Sequence, residues 1–130
     1  MSGARVLVVD DDAAVRRTLE AFLVDEGFEV DTAASGEEAL DRLACQRAEV
    51  AVVDIRLPDM NGNELIQLAH RLHPGLRFLV YTGSPEYALP PGLVEAGLQP
   101  EHLLHKPLFD MAVMSRAIVA LAEQRPRGSS

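Results

Sequence analysis

Val6-Leu7-Val8-Val9-Asp10-Asp11-Asp12 decides the fold: an unbroken apolar run, then three carboxylates in a row. A run with no polar alternate has no face for water, the pattern of a strand covered by helices on both sides. Val50-Ala51-Val52-Val53 repeats it and ends on Asp54. Phe78-Leu79-Val80-Tyr81 repeats it again and ends on Thr82, and the shorter Leu103-Leu104 leads to Lys106-Pro107. Phe28-Glu29-Val30-Asp31-Thr32 alternates instead, as an edge strand does.

Helical periodicity fills the gaps. Val15, Leu19, Phe22 and Leu23 form one stripe, started by Asp12 as N-cap and stopped by Gly27. Ser35 and Glu38 make a capping box ahead of Ala39, Leu40, Leu43 and Ala44. Leu65, Leu68, Ala69 and Leu72 form a third stripe, closed by Pro74-Gly75, and Met114, Ala117, Ile118 and Leu121 a last one. Strand starts near residues 5, 28, 50, 77 and 102 are 23, 22, 27 and 25 residues apart, the length of a βα unit. The expected architecture is α/β, a doubly wound five-stranded parallel sheet with right-handed crossovers and helices on both faces. The fit is worst over 84–100, which holds four of the eight prolines. A proline inside a helix costs about 3 kcal/mol, so the fourth helix is expected to be short, about Leu93 to Gly97, or displaced.

The 130 residues suit one domain with one core, and 48% hydrophobic content excludes a disordered chain. No apolar run approaches the ~18 residues of a membrane span, the N-terminus is no signal peptide, and Cys45 is a single cysteine without a disulfide partner. A cytoplasmic protein without membrane insertion is expected. With 20 acids against 12 bases the net charge is −8, which argues against direct nucleic-acid binding. Fifteen acids lie between Asp10 and Glu64, and Lys106 is the only lysine beside 11 arginines.

Ligands of an open α/β sheet bind beyond the carboxyl ends of its strands. Asp10, Asp11, Asp54, Thr82 and Lys106 all fall on that rim. Two like charges ~4 Å apart repel by roughly 4 kcal/mol at an effective dielectric of 20, so such a cluster calls for a cation. Oxygen ligands without His or Cys suit Mg²⁺, and a hydroxyl and an ammonium beside it suit phosphoryl oxygens. The chemistry indicated is phosphoryl transfer to or through a carboxylate. Taken singly, Asp12 reads as a helix cap, Asp54 as a turn residue, Thr82 as a strand residue and Lys106 as a solvated lysine. Their joint placement at strand ends favours the functional reading. His70 and His73, at i and i+3 without a third ligand, read as surface residues. His102 and His105 flank the fifth strand, close enough to influence its pH response, and His105 points away. Arg16 and Arg17 solvate the first helix.

These motifs resemble the receiver domains of bacterial two-component response regulators. Val8-Val9-Asp10-Asp11-Asp12 is similar to the acidic motif of the first strand, and the segment from Val52 to Gly62 to the phosphoacceptor region. Val80-Tyr81-Thr82-Gly83 and Lys106-Pro107 supply the rest, so the likeness runs from about Arg5 to Glu123. The resemblance implies a flavodoxin-like strand order of 2-1-3-4-5 and a receiver domain over 4–123. It implies Asp54 as phosphoacceptor from a sensor histidine kinase or histidine phosphotransfer protein. Mg²⁺ would be held by Asp10, Asp11, Asp54 and the backbone carbonyl of Arg56, with Thr82 and Lys106 on phosphoryl oxygens. A cis bond is usual before the family's proline, here Pro107, and the first helix often meets the kinase.

Two departures stand out. Leu103 occupies the position, three residues before the lysine, where the family often has an aromatic whose rotamer couples to the threonine. Eight residues (98–105) separate Gly97 from Lys106, about two more than the family pattern. The surface around the fourth helix and fifth strand, where many receivers dimerise, is therefore expected to be remodelled. Signalling through an atypical face or a dedicated downstream protein follows, with a homodimer as one possibility. The residues from 124 to 130 are expected to form a flexible tail too short for an output module, which makes the chain a stand-alone phosphoacceptor rather than an enzyme. Two other readings compete. One is a Mg²⁺-dependent phosphatase with an aspartyl nucleophile in Asp10-x-Asp12, for which 130 residues leave no room for a cap. The other is a receiver-like interaction module that never takes phosphate.

Overall fold

The computed structural model describes residues 3–84 and 86–123, so the expected tail at 124–130 lies outside the described residues. The strands are β1 (Arg5–Val9), β2 (Glu29–Ala33), β3 (Val50–Val53), β4 (Arg77–Thr82) and β5 (Leu103–His105). All pair in parallel in the order β2-β1-β3-β4-β5, as expected. The helices are α1 (Ala13–Asp25), α2 (Gly36–Cys45), α3 (Gly62–Leu72), α4 (Pro91–Glu95) and α5 (Ala112–Glu123).

Alternate side chains of the central strands enter two separate cores. Leu7, Val9, Ala51, Val53, Phe78 and Val80 pack with Ala39, Leu43, Leu65, Ile66 and Leu93 beneath α2, α3 and α4. Val6, Val8, Val50, Val52, Leu79 and Tyr81 pack with Leu19, Leu23, Met114, Ile118 and Leu121 beneath α1 and α5. Burying a Val, Leu or Ile side chain contributes about 1.5–3 kcal/mol, which is why these strands carry no polar alternate. The strand order puts β1 and β3 side by side, and so brings Asp10 and Asp54, 44 residues apart, to the same end of the sheet.

Local differences from the sequence reading have identifiable causes. On α3 the buried positions are Leu65, Ile66 and Ala69, while Leu68 and Leu72 are 36% and 60% exposed. The stripe is rotated because the helix packs against α4 as well as the sheet. α4 runs Pro91–Glu95, two residues earlier than expected: Pro91 sits where a first-turn N–H has no helical partner. Gly97 then ends the turn with φ +96°. A 3₁₀ turn, Pro100–His102, takes up the extra residues before β5.

His102 is buried in that turn, its Nδ1 accepting the Gln99 N–H at 3.1 Å. It lies at the start of β5, away from the acidic rim, so it is a structural residue. Burial holds its pKa below the ordinary 6.5; Glu101 opposes this and Arg77 reinforces it. Because the folded pKa is depressed, the unfolded chain takes the proton first as pH falls. Stability is full above the unfolded value and declines as pH drops below it. Denaturant titrations at about pH 7.5 and about pH 5.5 should show this loss, and His102→Gln should remove part of it. An identical pH dependence in the variant would disprove the assignment.

Candidate functional site

The rim is built at four strand ends. β1 ends one residue before Asp10, which is 2% exposed, and β3 one residue before Asp54, which is 7% exposed. Their backbones are fixed by the sheet: the Asp10 N–H donates to the Ala33 carbonyl at 3.1 Å and the Asp54 N–H to the Val9 carbonyl at 2.9 Å. Thr82, fully buried, closes β4, and its carbonyl accepts the Lys106 N–H at 2.8 Å. Asp11 is exposed at the mouth of the rim.

Lys106 reaches inward over the Tyr81 ring, with Nζ 5.6 Å from the ring centroid. It donates to Asp10 Oδ2 at 2.6 Å and to Asp54 Oδ2 at 3.2 Å. Burial alone would lower the Lys106 pKa; the hydrogen bond and charge of Asp10, followed by the charge of Asp54, outweigh it and leave it raised. Burial raises the Asp10 pKa, against the hydrogen bond from Lys106 and that from the Asp12 N–H. An ammonium shared between two shielded carboxylates thus holds the pocket in its resting charge state. The Lys106–Pro107 bond is cis.

Asp10, Asp11 and Asp54 each place a carboxylate oxygen within 4.8 Å of the others, the only such metal-competent group among the described residues. This donor set, oxygen alone and partly open to solvent, fits a hard divalent cation that keeps several waters. Asp12 does not join it: its Oδ1 accepts from the Ala14 and Val15 N–H groups and caps α1. Asp54 Oδ1 accepts the Arg56 N–H at 3.3 Å, which puts the Arg56 peptide beside the pocket. Thr82 Oγ1 accepts from the Ser84 N–H at 3.2 Å, turning the loop after β4 back over the rim.

Several supporting residues escaped the sequence reading. Arg16 does more than solvate α1: its Nη1 donates to the Asp10 carbonyl at 2.7 Å and ties the helix to the rim. Asp59 accepts from the Gly36 and Glu37 N–H groups at 2.9 and 2.8 Å, docking the loop after β3 on the start of α2. Those two backbone bonds hold its pKa low. Gly62 lets α3 pass directly against the end of β3: a Cβ there would lie 2.6 Å from the Asp54 carbonyl oxygen. Only Gly62 left a local signal, as half of an Asn-Gly turn pair. The Tyr87 hydroxyl donates to Asn63 Oδ1 and joins the loop after β4 to α3, a contact with no local signature. His105 is exposed, as expected, and so is Cys45, whereas His70 and His73, read as surface residues, are half-buried.

The model of the response regulator receiver domain matches residues 6–118. The chain belongs to that family. Among relatives of this receiver, response regulator MprA of Mycobacterium tuberculosis is 31% identical over 126 residues, 97% of this chain and 54% of that protein. The receiver therefore spans about half the length of the curated relatives it matches. A CheY-like response regulator receiver domain protein from Methanospirillum hungatei JF-1 has the same fold, with a TM-score of 0.78 and 34% identity over 93% of this chain and 95% of that one. Response regulator protein TrrA from Thermotoga maritima, solved in complex with Mg(2+)-BeF, gives a TM-score of 0.79 at 25% identity over 91% of this receiver and 98% of its own chain. No helix among the described residues is long and apolar enough to cross a membrane.

Proposed function

We propose that Asp54 accepts a phosphoryl group from a phosphohistidine on a sensor kinase or phosphotransfer protein. The observation that carries this reading is the placement of Asp54 between two partners, Lys106 on one oxygen and the Asp10–Asp11 carboxylates alongside. An Asp54 carboxylate oxygen attacks the phosphorus in line, the P–N bond to the donor imidazole breaks, and the imidazole leaves with the bonding pair. Lys106 is placed to exchange its Asp54 contact for a phosphoryl oxygen, and Thr82, on the same rim, to donate to another. Mg²⁺ held by Asp10, Asp11, Asp54 and the Arg56 carbonyl would neutralise charge on the transferred group. The new group adds charge at a buried strand end, read through Thr82 and the loop after β4.

This is a signalling role rather than a turnover activity. The competing phosphatase reading places a second catalytic carboxylate at Asp12, but that carboxylate is committed to capping α1. The short α4 and inserted 3₁₀ turn support an output surface unlike that of receivers with a regular fourth helix. Partners on that face, a dedicated downstream protein or a second copy, belong to the same proposal.

The test is intact mass after incubation with acetyl phosphate and Mg²⁺, for the protein and for Asp54→Ala. One added phosphoryl group in the protein and none in the variant is expected. Labelling that persists in Asp54→Ala, or steady turnover of phosphate esters, would overturn it.

A further inference from the structure

The opposite end of the sheet carries its own site. There the starts of β1, β3 and β4 open onto a cleft of about 610 Å³, whose lining includes Arg5, Arg47, His73 and Arg77. Leu76 and Leu121, both 2% exposed, form its apolar floor, and Leu72 stands at its edge. In a chain of net charge −8, three of 11 arginines meet in one depression. Glu49 is the carboxylate in the lining, its Oε2 accepting the Arg5 N–H at 3.2 Å, and Glu29 beside the cleft pairs with the Arg5 guanidinium at 3.2 Å. Arg47 makes no ion pair with any described residue.

We propose that this cleft binds a small organic anion with an apolar body, its acid group at Arg47 and His73 and its body over Leu76 and Leu121. The chemistry follows from the lining: guanidinium groups favour a planar or tetrahedral oxyanion, while the buried leucines favour hydrocarbon or aromatic surface. The volume lies within the about 300–1,000 Å³ typical of small-molecule sites. A protein partner needs about 800 Å² of contact per side, a footprint rather than a depression. The site stands apart from Asp54 and holds whether or not phosphoryl transfer occurs there.

The test titrates the isotope-labelled protein with anilinonaphthalene sulfonate and, in parallel, with the neutral phenylnaphthylamine, following backbone amide resonances. The sulfonate should move the amides of Ala48, Leu72, His73 and Arg77, with the neutral analogue binding about tenfold more weakly. Arg47→Glu should weaken the sulfonate about tenfold as well, with phosphoryl acceptance and the unfolding transition unchanged. Equal binding of both probes, an unaffected Arg47→Glu, or no binding below about 1 mM would overturn the proposal. So would shifts centred on the small hollow between α1 and α5 lined by Val15, Leu19 and Met111.

Discussion

Lys106→Ala is expected to lose about 3 kcal/mol of stability at neutral pH in chelated buffer, and to regain most of it with saturating Mg²⁺. Among the described residues the ammonium is the only cation in contact with the shielded Asp10 and Asp54 carboxylates, at 2.6 and 3.2 Å. Removing one partner from such a pair leaves uncompensated charge, which costs far more than the intact pair contributes. A divalent cation on the same oxygens would supply the missing charge. It would also meet no competing ammonium, so the variant should bind Mg²⁺ more tightly than the parent. The pH dependence has a definite sign. Burial already raises the Asp10 pKa, and without Lys106 the carboxyl takes a proton more readily in the folded state than in the unfolded one. The gap between variant and parent should therefore narrow as pH falls. Urea denaturation with and without Mg²⁺, at neutral and mildly acidic pH, measures all three effects. An equal loss in saturating Mg²⁺ would assign the contribution of Lys106 to packing on Tyr81 instead.

Gly62→Ala is expected to destabilise the protein by about 1–3 kcal/mol and to slow labelling of Asp54 by acetyl phosphate about tenfold or more. The added Cβ would lie 2.6 Å from the Asp54 carbonyl oxygen and 2.7 Å from the Ile55 Cα. Both are backbone atoms, which cannot swing aside as a side chain does. Either α3 lifts or the end of β3 shifts, and both displace the carboxylate proposed to attack in line. Alanine's advantage over glycine, about 1 kcal/mol in a helix interior, is smaller at this first helical position and offsets none of the misplacement. Gly83 provides a control: a Cβ there meets only Lys106 Cδ, at 3.9 Å, so Gly83→Ala should leave folding nearly unchanged. Normal labelling in Gly62→Ala would show that the contact is absorbed by α3 alone.

What was legible in the sequence was whatever local pattern encodes. The unbroken apolar runs gave away β1, β3 and β4 because burial on both faces leaves no room for polar alternation. Asp12 was legible as a cap because capping acts over two or three residues. Arg16 on the Asp10 carbonyl and Asp59 on the start of α2 were not legible, and Gly62 was legible as half of an Asn-Gly pair but not as a neighbour of Asp54. Each depends on how close one segment passes to another, which periodicity does not record. The α3 stripe shows the same limit: Leu72 has the right spacing and chemistry for the core. Packing against α4 selected Ile66 instead. His102 was displaced from the site for a related reason, since only two residues separate it from His105 but the 3₁₀ turn and strand carry them to opposite ends of β5.

The stacking of Lys106 over Tyr81 has a practical consequence. The chain has no tryptophan and two tyrosines, so its near-ultraviolet signal comes largely from Tyr81 and Tyr87. One ring lies beside the Lys106 ammonium that contacts Asp54, and the other anchors the loop that follows Thr82. The domain thus carries native chromophores at both ends of the proposed switch. If Asp54 takes a phosphoryl group as proposed, tyrosine absorption and emission are expected to report the change without a label.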